Sequence, residues 1–386
     1  MKLGVISTVY KKELTDLLRD RRTLISMVAL PVIVFPLVFG VMGKFMNAAG
    51  KKAETEATTV AVKRDAIPQD FARVIERSGL RTVEVNDVAA AVEKKEAATG
   101  MTVAGKIVTV YAEGTRQSSG MAADKLRTAL NEQRDAMVLE SLRGAKLDPS
   151  VLKPFTIKRE NVASERKMGG FILGSMLGYV VILLMFSGGM YPAIDMTAGE
   201  KERKTLEALL ASPAQRTDIV LGKILACVTA TYVTALLTTA SLFFSLKQGG
   251  AGLRGMEKMI GNVPTDPQTI SLMLLTLLPV AIMAGALMVS IALIARSFKE
   301  AQSYLTPLIM LVIFPSLLGG LPGMELTPLF SLIPIFNSSQ LLKGILQGEV
   351  PMLSLVLTNV ANVIYAAICF AFAVRSFNNE KVLFRT

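Results

Sequence analysis

Six small polar side chains inside one apolar run have the type and spacing that could do chemistry. They recur at intervals of 4, 3, 4, 3 and 4 residues, which places them on one helix face: Cys227, Thr231, Thr234, Thr238, Ser241 and Ser245. Such a face can be a packing surface whose hydroxyls donate to the carbonyl one turn back. It could instead line a hydrated translocation pathway, formed by Thr231, Thr234, Thr238 and Ser241. The sequence leaves both interpretations open.

Catalytic chemistry on this chain is not indicated. The chain has no histidine, which excludes Ser-His-Asp and Cys-His catalysis and histidine metal sites. None of its Gly-Lys pairs, including those at 43, 105 and 222, is followed by the hydroxyl residue that a phosphate-binding P-loop requires. We therefore expect no catalytic residue, no metal and no cofactor on this chain, and an energy source outside it.

The elements that must position these residues are membrane spans. The chain has 386 residues, 51% of them apolar, and a positive mean hydropathy. A membrane-spanning helix needs roughly 20 apolar residues. Six runs meet that length: Thr23–Phe45, Gly169–Ile194, Ile219–Leu246, Ile270–Ala295, Leu305–Leu321 and Met352–Val374. They contain no Asp or Glu, whereas ion-driven carriers commonly keep an intramembrane carboxylate. The sequence predicts a mainly α polytopic membrane protein.

Charge predicts the topology. The segments 1–22, 195–218, 296–302 and 375–386 hold 15 Lys and Arg residues, whereas the alternate short segments hold 4. Short cytoplasmic loops collect such residues, so both termini are expected in the cytoplasm and the protein in the inner membrane. The net charge of +11 then reports topology, and no nucleic-acid partner is expected.

Residues 1–22 are predicted to form a cytoplasmic amphipathic helix before the first span at 23–46. Its apolar face is expected to contain Ile6, Tyr10, Leu14 and Leu17, which would lie against membrane lipid. The alternative is a plain basic flank that orients the first span.

Residues 47–167 are predicted to form an extracytoplasmic α/β domain, inserted between the first and second spans. We expect strands at Thr58–Lys63, Arg81–Val85 and Lys106–Ala112. Residues 168–374 would contain spans two to six, and 375–386 a cytoplasmic tail.

A pattern of glycines predicts close helix packing. Gly170, Gly174 and Gly178 recur every four residues, which lets another helix approach closely, from this chain or from a second copy.

Residues 325–349 are apolar but interrupted by Pro328 and Pro334. This segment is therefore expected to be an outer re-entrant or interfacial element.

The segment 195–218 combines charge with an apolar edge that includes Leu206, Leu209 and Leu210, and Pro213 should end its helix. It is either a docking element for a soluble partner or a solvated loop.

This segment carries a family resemblance. Glu200–Lys223, EKERKTLEALLASPAQRTDIVLGK, resembles the signature of type 2 ABC-transporter permeases. Tyr10–Pro31 and Phe377–Arg385 resemble the sodium-efflux (NatB-like) branch of that family.

The resemblance implies a permease that couples to a separate ABC ATPase subunit, which binds ATP and Mg, in a complex with two permease protomers. It implies export, of Na⁺ or of a drug, peptide or lipid-like substrate. A self-sufficient channel or ion-driven carrier is the alternative of another class. The residues expected at the ATPase contact are Glu200, Glu202, Arg203, Leu206, Glu207, Leu209 and Leu210.

Overall fold

The computed structural model describes residues 2–63, 68–105, 107–145, 165–247, 266–319 and 326–378. The chain divides into two compact units, one formed by residues 1–43 with 162–386 and one by residues 44–161. The first unit is helical and the second combines helices with a β-sheet.

Fourteen α-helices and four strands occur in the described residues. The helices are α1 (Leu3–Arg19), α2 (Arg21–Leu24), α3 (Leu30–Glu56), α4 (Gln69–Arg77), α5 (Val88–Glu93), α6 (Gln117–Gly144), α7 (Glu165–Ile194), α8 (Glu200–Glu202), α9 (Thr205–Leu210), α10 (Arg216–Lys247), α11 (Pro267–Ile294), α12 (Phe298–Leu318), α13 (Phe336–Gln347) and α14 (Met352–Asn378). The strands are β1 (Thr59–Lys63), β2 (Arg81–Val85), β3 (Thr99–Ala104) and β4 (Ile107–Tyr111).

Six helical stretches in the described residues are long and apolar enough to cross a membrane. They are Arg21–Phe45, Leu173–Glu202, Arg216–Leu246, Pro267–Ile294, Phe298–Leu318 and Met352–Asn378. In the second, third and fourth, 67% of the most apolar window is buried, against 22–28% in the other three. The stretches in α7, α10 and α11 therefore form the centre of the bundle. The multi-pass character expected from the apolar runs is confirmed.

The first stretch contains a π-helical turn at Ile25–Ala29. The amide of Leu30 donates to the carbonyl of Ile25, five residues back. Pro31 follows directly and has no amide to donate, so the wider turn adjoins the point where the regular bonding pattern is broken.

The segment predicted at 325–349 is described from residue 326 onward. A 3₁₀ turn at Phe330–Leu332 precedes α13, and almost every residue of α13 is buried. The helix packs against α7, α11 and α12, so it lies inside the bundle and not on its surface. Ile335 before it and Gly348 after it have positive φ angles of 72° and 74°, which turn the chain sharply at both ends.

In the second unit, the sheet has the order β2-β1-β3-β4. β1 is parallel to β2 and β3, whereas β3 and β4 are antiparallel. On β1, Val60 and Val62 belong to one apolar core together with residues of α4 and α6, and Ala61 belongs to a second core with residues of α5. The central strand is thus covered on both faces.

Strand β3 was missing from the sequence-based expectation. Gly100, the second residue of the strand, interrupts the apolar alternation there. A Cβ on Gly100 would collide with the side chain of Val88 on α5, so the strand needs glycine at this point. The three expected strands correspond to β1, β2 and β4.

Candidate functional site

The charged segment is continuous with the second span. After α7, the helix passes through a π-helical turn at Asp195–Gly199 and reaches Glu202 in α8. Pro192 precedes this turn and removes one amide donor from the helix. The helix that contains this span therefore continues beyond the expected span end at Ile194 and ends at Glu202.

A buried lysine connects this helix end to two other helices. Lys223 Nζ, on α10, donates to Glu13 Oε1 on α1 at 2.7 Å and to Glu200 Oε2 on α8 at 2.7 Å. It also donates to Met196 O at 2.9 Å. All three ammonium protons are thus bonded, as a charge with an exposed fraction of 0% requires.

A second lysine completes the group. Lys12 Nζ donates to Glu200 Oε1 at 2.5 Å and to Glu13 Oε1 at 3.1 Å. Burial lowers the pKa of Lys12, but the hydrogen bond to Glu200 and the charges of Glu13 and Glu200 outweigh it and raise that pKa above its usual value. We call Lys12, Glu13, Glu200 and Lys223 the ion cluster. Its two ammonium groups balance its two carboxylates.

The next two residues contact the junction between α11 and α12. Lys201 Nζ donates to the carbonyls of Leu293 and Ala295 at the end of α11. Glu202 Oε2 accepts a hydrogen bond from the amide of Phe298 at 2.8 Å, at the start of α12. A cation at a helix C-terminus and an anion at an N-terminus both interact favourably with the helix dipole.

Arg203 folds back onto the same helix. Its Nη1 donates to Asp195 Oδ1 at 2.8 Å, and this hydrogen bond raises the pKa of Arg203. Lys204 then adopts a left-handed conformation with φ of 59°, which starts α9 in a new direction.

Helix α9 presents one side to the protein and the other to solvent. Leu206 is 2% exposed and anchors the helix inward. Leu209 and Leu210 are half-buried, whereas Glu207 is exposed. Of the seven residues expected at the ATPase contact, Glu200 and Leu206 are buried, and Glu202 and Arg203 are exposed and bonded within the chain. Glu207 is exposed, whereas Leu209 and Leu210 are half-buried and lie on the same side of α9 as Leu206.

The hydroxyl stripe of α10 is buried and bonded. Thr231, Thr234 and Thr238 donate to the carbonyls of Cys227, Ala230 and Thr234 at 2.6–2.8 Å. The hydroxyl of Ser241 donates to Val32 O at 2.9 Å, and that of Ser245 to Ser241 O at 2.7 Å. Thr231 and Thr234 lie against Gly189 and Gly188 of α7. In this conformation the stripe is a helix-packing surface.

The glycines at every fourth position of α7 contact α13 of the same chain. A Cβ added to Gly174 would lie 2.8 Å from Lys343 Cα, and one added to Gly178 would lie 2.8 Å from Ser339 O. Gly170 lies equally close to the backbone of Leu346. The structure thus places these glycines in contacts within the chain.

Sequence reasoning missed Lys223, Glu13 and Lys12. One signal was available, because Glu13 lies on the same helix face as Val9 and Leu17, at spacings of four. The buried face of α1 is Ile6, Val9, Glu13 and Leu17, whereas Tyr10 and Leu14 are only half-buried. Within the described residues, no group of three His, Cys, Asp or Glu side chains could hold a metal ion.

Comparison with known proteins gives two matches. A family model described as ABC-2 family transporter protein matches residues 7–382. The ABC transporter permease protein NatB of Bacillus subtilis (strain 168) is 26% identical over 390 residues, covering 98% of this chain and 99% of that protein. The resemblance seen at Glu200–Lys223 is thereby confirmed.

A permease of this kind is the membrane subunit of an ABC transporter, is not itself catalytic, and has an ATPase subunit as its partner. The family match extends over nearly the whole chain, from residue 7 to residue 382. This protein therefore belongs to the ABC-2 family of transporter proteins.

Proposed function

We propose that this permease is an ATP-driven exporter in which α9 receives the movement of a separate ATPase subunit that binds ATP and Mg²⁺. The observation that carries the proposal is the ion cluster. It joins Glu200, at the end of the helix that continues the second span, to α1 through Lys12 and to α10 through Lys223, and Lys223 also holds Glu13 of α1. A displacement of the charged segment is thereby passed to two further helices.

Helix α9 is tied directly to this cluster. The hydroxyl of Thr205, the first residue of α9, donates to Glu200 O at 3.2 Å. The side chain of Leu206, on the inner side of α9, is buried. Because α9 is held at its start and on its inner side, a force on its outer face moves Glu200 with it. The spans would then rock between inward-facing and outward-facing states.

The docking contact is proposed to consist of Glu207, Leu209 and Leu210. Half-buried aliphatic side chains beside an exposed carboxylate fit a groove with an apolar floor and a charged rim. Glu202 and Arg203 would not touch the ATPase subunit. They would transmit its movement within the permease, since both are bonded to other residues of this chain.

The orientation follows from the same assignment. An ATPase that binds cytoplasmic ATP must meet α9 in the cytoplasm. We therefore place both termini there, the protein in the inner membrane, and the unit of residues 44–161 on the outer side. Two permease protomers would complete the transporter, as the family resemblance implies.

Sodium is the substrate we propose, on the resemblance of Tyr10–Pro31 and Phe377–Arg385 to the sodium-efflux branch. A Na⁺ pathway along Thr231, Thr234 and Thr238 would require the packed helices to separate, since all three residues are 0% exposed here, and the hydroxyl lone pairs could then coordinate Na⁺. A drug, peptide or lipid-like substrate is the alternative within the family. A channel or ion-driven carrier would need no ATPase, so transport by the chain alone would support that class.

The Leu209→Asp variant tests the coupling role of α9. A carboxylate at the docking contact would be buried without a partner, and we expect co-purification of the ATPase subunit and ATP-dependent Na⁺ transport to fall at least tenfold. The measurements are affinity co-purification and Na⁺ flux in proteoliposomes that contain both subunits.

Leu209→Met is the matched control and should retain both activities, because it conserves the volume of an apolar side chain. Normal co-purification and normal transport in Leu209→Asp would refute the proposed contact. If the wild type co-purifies with the ATPase subunit but transports no Na⁺, sodium is refuted as the substrate and the proposed contact is not.

A further inference from the structure

An arginine patch, which we define as Arg19, Arg21 and Arg22, lies where α1 ends and α2 begins. All three side chains are exposed. Arg21 is the first residue of the first membrane-spanning stretch, Arg21–Phe45. The patch therefore lies where the chain enters the membrane.

Exposed apolar residues flank the patch on both sides. Leu18 is 59% exposed and Ile25 is 60% exposed. Large apolar side chains next to the start of a span are expected to contact acyl chains, whereas guanidinium groups remain at the headgroup level. The patch thus combines guanidinium groups with neighbouring exposed apolar side chains, as a segment at a membrane surface does.

The charges of the patch are available for a partner. Within the described residues, neither Arg19 nor Arg21 makes a side-chain hydrogen bond or ion pair. Arg22 lies near Asp20, whose oxygens already accept from Arg22 N, Thr23 N and the Thr23 hydroxyl. Three positive charges therefore face solvent together.

We propose that the arginine patch binds the phosphate groups of anionic lipids and so holds α1 against the membrane. Guanidinium groups bind phosphate through paired N–H donors, and a basic residue near an anionic membrane contributes to binding in proportion to its charge. The bound lipid stabilises the position of α1, which carries Lys12 and Glu13 of the ion cluster. This lipid site is independent of the transported substrate.

The test uses the purified full-length chain in a neutral detergent. Short-chain phosphatidylglycerol or phosphatidylcholine is titrated, and bound lipid per chain is counted by native mass spectrometry. The wild type should bind phosphatidylglycerol more tightly than phosphatidylcholine, and the preference should weaken at high salt. In the triple variant R19Q/R21Q/R22Q, affinity for phosphatidylglycerol should fall on the order of 100-fold, about fivefold for each arginine.

Two matched variants control for folding and for general charge. The variant R19K/R21K/R22K keeps the charges and should bind within about fivefold of the wild type, since lysine binds phosphate as a point charge. The variant R81Q/R127Q/R143Q removes three exposed arginines from the other unit and should not change the affinity.

Three results would overturn the proposal: equal affinity for the two lipids, unchanged phosphatidylglycerol binding in R19Q/R21Q/R22Q, or an equal loss in R81Q/R127Q/R143Q. An acidic protein surface is the other conceivable occupant of the patch. Loss of ATPase co-purification in R19Q/R21Q/R22Q, with phosphatidylglycerol binding unchanged, would assign the patch to that partner and overturn the lipid site.

Discussion

The long helix formed by α7 and its continuation to α8 is held in the bundle by a different kind of contact at each end. Near the start of α7, Gly174 and Gly178 bring its backbone against α13 with almost no side chain between them. At the far end, Glu200 is held by Lys12 and Lys223. The 26-residue separation of Gly174 and Glu200 corresponds to about 39 Å of helix, which exceeds the ~30 Å hydrocarbon core of a membrane.

The difference between these two contacts indicates which end of the long helix can move. Backbone against backbone is a packed contact with a single good arrangement, since any shift opens a gap or makes a clash. An ion cluster has several partners within reach, and its lysines can exchange carboxylates while remaining neutral as a group. The charged end is therefore the end suited to transmit movement, and the glycine end is suited to resist it.

The largest effect is expected from Lys223→Met. The substitution leaves the buried carboxylates of Glu13 and Glu200 with only Lys12 as counter-ion, and removing one partner of a buried ion pair typically costs about 3–5 kcal/mol. The free energy of unfolding, measured through thermal unfolding in detergent, should fall by that order.

Lys12→Met is the matched control, since the Lys12 side chain is 46% exposed, against 0% for Lys223. Its loss should cost about 1 kcal/mol, as expected for a partly solvated pair. Equal losses in the two variants would contradict the distinction between a buried central lysine and a peripheral one.

A smaller loss is expected from Gly174→Ala at the other end of α7. The added methyl would lie 2.8 Å from Lys343 Cα, so α13 must shift, and overpacking of this kind typically costs about 1–3 kcal/mol. Thermal unfolding measures the loss.

Gly40→Ala provides the control, because nothing lies within 4 Å of a Cβ built on Gly40. That variant should be neutral or slightly stabilising, as alanine is the better helix former. A similar destabilisation by both variants would show that loss of glycine itself matters, and not the contact with α13.

Much of the fold could be predicted from the sequence, because the signals are local. The six spans appear as long apolar runs, and β1, β2 and β4 as short alternating segments. The close contacts of Gly174 and Gly178 were also indicated by their spacing, although not the identity of α13 as their partner. Those partners, Lys343 and Ser339, lie more than 160 residues further along the chain.

The ion cluster could not be predicted because its partners are distant in sequence. Lys223 bonds Glu13 across 210 residues, and Lys12 bonds Glu200 across 188. A lysine at the start of an apolar run indicates a charge that needs a partner, but several carboxylates in the cytoplasmic segments could have served. Only the packing of α1 against α10 selects Glu13, since Gly222 lets Val9 approach closely beside it.

The smallest loss of unfolding free energy is expected from Asp20→Ala. This variant tests whether the ion cluster alone holds α1 at the charged end. Asp20 caps α2 through hydrogen bonds from Arg22 N at 3.2 Å and Thr23 N at 3.0 Å. Loss of such a cap typically costs about 1 kcal/mol. Asp20→Asn keeps one of the two acceptor oxygens and should lie between Asp20→Ala and the wild type.

The pH dependence gives an independent measurement of the same cap. Burial raises the pKa of Asp20, but the hydrogen bonds from Thr23 and Arg22 outweigh it and hold that pKa below the ordinary 3.8. The stabilisation is therefore complete above pH 3.8 and is lost as the pH falls through the lower folded value. Thermal unfolding of Asp20→Asn should lack this acid-dependent contribution.

Combining Asp20→Ala with Lys12→Met decides the question. Among the described residues, the side chains of Asp20 and Lys12 share no bonding partner, and the two residues are eight positions apart, about 12 Å along a helix. Their losses in unfolding free energy should therefore add to within about 0.5 kcal/mol if the cap and the ion cluster hold α1 separately. A combined loss well above the sum would mean that one attachment of α1 compensates for the other. The charged end would then be as rigidly held as the glycine end.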